Sequence, residues 1–90
     1  MKLFLNEDAI RKILKERGKP VQYIGEILEV SRQATYDKLN NKAALDVKQV
    51  NKLCEVLVVS AESILTEDSM NDLDEHRKEL EYMDTLNTNY

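Results

Sequence analysis

Arg32, Gln33, Tyr36 and Asn40 fall in the stretch Val30-Ser31-Arg32-Gln33-Ala34-Thr35-Tyr36-Asp37-Lys38-Leu39-Asn40-Asn41-Lys42. Arginine pairs bidentately with guanine, and glutamine with adenine, at base edges in the major groove, so these side chains carry the chemistry of base reading. That chemistry requires them to share a face. Ser31 is an N-cap residue type, and a helix opening after it turns Ala34, Thr35 and Leu39 inward while Arg32, Gln33, Tyr36 and Asn40 stay on the opposite side. The same pattern also describes an ordinary amphipathic helix with a polar surface. The neighbouring elements therefore carry weight.

Just before this stretch comes Pro20-Val21-Gln22-Tyr23-Ile24-Gly25-Glu26-Ile27-Leu28-Glu29, with proline at or near the first helical position and apolar residues at 21, 24, 27 and 28. The pattern predicts a short helix, a tight turn and then the base-reading helix. Helices joined so closely must cross in contact, and Gly25, which costs about 1 kcal/mol against alanine in a helix interior, fits the small residue at that crossing. This is the pattern of a helix-turn-helix.

Residues 6–65 resemble the Cro and phage-repressor type of helix-turn-helix domain, the XRE-like family. Ile-Gly-Glu-Ile-Leu-Glu-Val-Ser-Arg at 24–32 is similar to the family's run of a small second-helix residue, a hydrophobic turn residue and a serine opening the third helix. Lys38-Leu39-Asn40-Asn41-Lys42 resembles the close of the third helix, and Val59-Ser60-Ala61-Glu62-Ser63-Ile64-Leu65 the fifth. Two positions depart from the family: Gly25 stands where alanine is usual, and Glu29 where the turn usually has glycine. A left-handed backbone at Glu29 would cost about 1–2 kcal/mol. The resemblance implies an all-α fold, a compact five-helix lambda-repressor-like domain at residues 1–65 with an additional acidic C-terminal helix in residues 66–90. It also implies a dimeric, sequence-specific transcriptional regulator with its third helix in the major groove of a two-fold symmetric operator on double-stranded DNA. On this view Arg32, Gln33, Tyr36 and Asn40 meet base edges, and Gln22, Ser31, Lys38 and Lys42 position phosphates. Asp37, an acid beside a polyanion, would accept from a cytosine amine or hold Arg32 in place.

Composition agrees with one small helical unit, since 42% of the ninety residues are hydrophobic and Gly18, Gly25 and Pro20 are the only breakers. No apolar run approaches the roughly 20 residues of a membrane span, and Met-Lys-Leu-Phe-Leu is too short for a signal peptide. The expected location is cytoplasmic. The lone Cys54 makes no internal disulfide and, sharing a helical face with Val47, Val50 and Leu57, reads as a buried, inert thiol.

Asn6 is expected to cap the first helix ahead of Glu7 and Asp8, with Leu5 and Ile10 as a hydrophobic staple and Gly18 as a left-handed end. Ile10, Ile13 and Leu14 give that helix its core face, and Arg11, Lys12, Lys15 and Arg17 a basic one toward phosphate or solvent. Asp46 and Gln49 resemble a capping box for the fourth helix, and Ser60 a cap for the fifth.

The net charge of −4 averages two unlike segments. Residues 1–65 hold eleven Lys or Arg against nine Asp or Glu, a balance of +2, while residues 66–90 hold two against eight, a balance of −6. The acidic part should point away from DNA. It still keeps a helical stripe, Met70, Leu73, Leu80 and Met83, which predicts a helix over about 70–84 whose apolar side covers its own core, a second subunit or another protein; the expectation taken forward is a dimer contact through those four residues. Asn87 to Tyr90 read as frayed. The alternative function is a protein-interaction module of the same fold, an antitoxin or adaptor, whose protein partner binds the acidic segment. One His, one Cys and scattered carboxylates offer no catalytic constellation, metal site or cofactor cradle.

Overall fold

Self-made caps decide where the helices start. In the computed structural model, which describes the backbone of residues 1–87 and the side chains of residues 1–80, Asn6 Oδ1 accepts from Ala9 N at 3.1 Å and opens α1 (Glu7–Glu16). Helix α2 (Gln22–Leu28) follows Pro20, and Ser31 Oγ, accepting from Ala34 N at 3.1 Å, opens α3 (Arg32–Leu39). A capping box between Asp46 and Gln49 starts α4 (Val47–Leu57), and Ser60 caps the single turn α5 (Ala61–Ile64). The final helix, α6 (Glu67–Asn87), begins earlier than residue 70 because Thr66 Oγ1 accepts from Ser69 N at 3.3 Å. The described residues form helices and no strand, so the fold is all-α. None of these helices is long and apolar enough to cross a membrane.

The core gathers Ile10 and Leu14 of α1, Ile24 and Ile27 of α2, Leu39 of α3, and Val50, Leu53 and Leu57 of α4. Burying each such side chain contributes on the order of 1.5–3 kcal/mol. Leu5 and Ile10, the expected staple pair, are both fully buried. Leu5 does more than staple α1. Leu3 and Leu5 each form an isolated antiparallel bridge, to Leu45 and Leu65, and Phe4 N donates to Ser69 Oγ at 2.9 Å. The sequence reading missed this extended segment because two alternating leucines are too short a pattern to distinguish from a helix lead-in.

For the first part of the C-terminal stripe the dimer contact gives way to the alternative of packing on its own core. Leu73 is fully buried and Met70 half-buried against the core of the same chain, so neither lies on an open dimer face. Helix α6 packs on α5, and Ser69 is buried, so the segment beginning at residue 66 is built into the body at its first turns. The physical reason is hydrophobic: α5 and the buried core beside it give these side chains apolar cover within the chain. Leu80 remains 49% exposed. Met83 lies outside the residues whose side chains are described, as do Thr88 to Tyr90 altogether.

Candidate nucleic-acid interface

The angle between α2 and α3 is set by two residues. Gly25 is buried, and a Cβ there would collide with Thr35 Oγ1, so the absence of a side chain lets α3 approach α2. Thr35, itself buried, turns that hydroxyl back to Ser31 O at 2.9 Å and leaves no stray donor in the contact. Glu29 then bends the chain with φ 58° and ψ 44°, the left-handed conformation. Val30 N donates to Gly25 O at 3.1 Å and closes the end of α2.

This crossing presents the outward side of α3. Arg32, Gln33 and Asn40 are exposed on it, Tyr36 is half-buried, and Gln22 at the start of α2 lies alongside. The guanidinium of Arg32 sits over the Tyr36 ring, 5.9 Å from its centroid, a cation–π arrangement. Gln22 Nε2 donates to the Tyr36 hydroxyl at 3.2 Å, so the ring is held from the other helix. Gln33 Nε2 donates to Asp37 Oδ1 at 3.0 Å. Asn40 ends α3, its backbone N donating to Tyr36 O at 2.8 Å, and Ser31 caps the other end with its hydroxyl oxygen toward Ala34 N. Arg32, Tyr36 and Gln22 are thus brought together, while Gln33 is exposed on α3 and Ser31 and Asn40 are exposed at its two ends.

Several expected roles change. Asp37 does not reach toward Arg32: its carboxylate accepts from Gln33, four residues back on the same helix face, whereas Arg32 lies five back and a different way around. Lys38 is half-buried and its Nζ donates to Ala44 O at 2.9 Å, tying the loop after α3 rather than extending outward. Arg17 Nη2 donates to Leu57 O at 2.6 Å and satisfies the end of α4, which removes it from the basic face of α1. Lys42 stays exposed just past α3. Lys19, whose ammonium lies 5.0 Å from the Tyr23 ring centroid, is a further cation near the start of α2 that the sequence reading did not single out.

The charge around α3 is mixed. A shallow groove between α2 and α3 is bordered by Glu26 and Glu29 as well as Arg32. Lys52 Nζ lies 3.7 Å from the Glu29 carboxylate, an exposed pair that adds at most about 1 kcal/mol. Cys54 is half-buried on α4, and burial pushes its thiol above the ordinary range despite the opposing pull of Arg77. No three His, Cys, Asp or Glu side chains among the described residues are grouped to hold a metal ion.

Comparison with protein-family models, with curated proteins and with solved structures finds no match for this chain. The arrangement itself presents an arginine and two amides on one helix face, flanked by exposed lysine, which is the equipment for hydrogen bonding to base edges beside phosphates.

Proposed function

We propose that this protein is a sequence-specific DNA-binding transcriptional regulator of the Cro and phage-repressor type, with α3 as its recognition helix. The observation that carries the reading is the crossing of α2 and α3: Gly25 against Thr35 and the left-handed Glu29 leave Arg32, Gln33 and Asn40 together on an unobstructed face. A five-helix lambda-repressor-like domain with α6 appended describes the fold on this reading. Two copies would set their α3 helices in successive major grooves about 34 Å apart. Leu80 is the member of the expected dimer stripe that keeps substantial exposure among the described side chains.

In vitro site selection from random duplexes, followed by gel shift on selected and random DNA, tests the proposal. Convergence on a two-fold symmetric site supports it, and equal binding to every duplex, or none, overturns it. A protein-interaction module on the same fold is the second reading. It is favoured by Glu26, Glu29 and Asp37 beside α3 and by the exposed acids Asp68, Asp72, Glu75 and Glu79 on α6.

A further inference from the structure

A carboxylate on the outward side of a DNA-reading helix costs affinity for every duplex, because it repels the same phosphates that nearby cations attract. Asp37 occupies such a position, half-buried on α3, and its carboxylate has a specific partner: Oδ1 accepts from Gln33 Nε2 at 3.0 Å. Its backbone is fixed as well. The Asp37 carbonyl accepts from Lys42 N at 2.8 Å and from Ala43 N at 3.0 Å, which closes the end of α3. The acceptor therefore stands at a set place one turn beyond an exposed amide.

Resting on the DNA-binding reading above, we infer that Asp37 is a positioning residue that fixes the sense of the Gln33 amide for base recognition. A carboxylate accepts only from the NH2 end of the amide; flipped, Gln33 would set Oε1 against Oδ1 and lose the bond. In the sense observed, Nε2 keeps a second hydrogen and Oε1 keeps its lone pairs. The helix then offers one donor beside one acceptor, already ordered. Adenine, with an acceptor at N7 and a donor at N6, complements that pair, whereas guanine presents two acceptors. An amide free to flip must instead be ordered when DNA binds, a loss on the order of two- to tenfold for one long side chain.

A Gln and an Asp four residues apart also stabilise a helix on their own. The test separates the two roles by measuring base preference. The full chain and its Asp37→Ala, Asp37→Asn, Gln33→Ala and Gln33→Ala/Asp37→Ala variants are titrated against the duplex selected by the wild type and against duplexes changed one base pair at a time. Both single Asp37 variants are expected to bind duplexes that lack the base pair read by Gln33 more tightly, since each removes a negative charge. Both are expected to lose preference by about two- to tenfold, at the base pair where Gln33→Ala loses it, because alanine removes the acceptor and asparagine, which donates as well as accepts, fits either sense of the amide. Adding Asp37→Ala to Gln33→Ala should change that preference no further. Preference that survives Asp37→Ala or Asp37→Asn, or that falls again in the Gln33→Ala background, overturns the inference while leaving DNA binding in place. A wild-type chain with no preferred duplex overturns the DNA-binding reading and this inference with it.

Discussion

Gly25 and Thr35 share one small volume between α2 and α3, and their coupling has a definite sign. Gly25→Ala gains about 1 kcal/mol of helix propensity but drives a methyl into Thr35 Oγ1, an overpacking that costs about 1–3 kcal/mol. Urea unfolding should show net destabilisation in the wild-type background and stabilisation by about 1 kcal/mol in a Thr35→Ala background. The close approach was legible from glycine in a helical run; its partner was not, because Thr35 is one of several inward candidates until the crossing angle is known. Arg32 and Lys42 should separate reading from positioning. Arg32→Ala should weaken the selected duplex by about 1–3 kcal/mol and relax one base pair per half-site, whereas Lys42→Ala should weaken all duplexes alike and lower the salt slope by about one. Gel shifts at several salt concentrations check both. The exposed face of α3 could be read from spacing, but the hydrogen bonds across it could not. Lys38 meets Ala44 only because left-handed Asn41 turns the chain back after α3.

At the scale of the helix, starts and ends differ in how openly they are written. Asn6, Ser31, Asp46 and Ser60 each cap a helix with their own side chain, so residue type alone announces them. The ends rely on backbone: Gly18, Glu29, Asn41 and Val58 all take positive φ, which a glycine announces by its type and a valine does not. Val58 is the sharpest case. A β-branched residue is strained at φ 55°, and with 83% of its surface exposed it recovers little by packing. Val58→Gly should therefore raise stability by about 1 kcal/mol, seen as a melting temperature higher by roughly 4–8 °C. An unchanged or lower melting temperature would show that the left-handed valine is not strained.

Across the whole molecule, the basic body and acidic α6 are opposite in charge yet share one core. The charge division was plain from the sequence, but where the packing stops was not, since Met70, Leu73 and Leu80 recur on one stripe while the structure buries the first part of it and exposes Leu80. Leu73→Ala should cost about 2–5 kcal/mol in urea unfolding. Leu80→Asp should leave that stability within about 0.5 kcal/mol. Equal effects would mean that α6 does not divide in this way.

The clasp made by Leu3, Phe4 and Leu5 has a consequence for synthesis. Its partners Leu45, Leu65 and Ser69 are translated long after it, so Leu3, fully buried in the finished protein, waits for its bridge partner until α3 has been made, and Leu5 until α5 has been made. Helices with near neighbours in sequence can pair early, whereas contacts spanning most of the chain close late. On the ribosome the body thus stays unsealed until α5 and the first turns of α6 emerge. A chain released before Ser69 would retain α2 and α3 in sequence but lack the acceptor that holds Phe4.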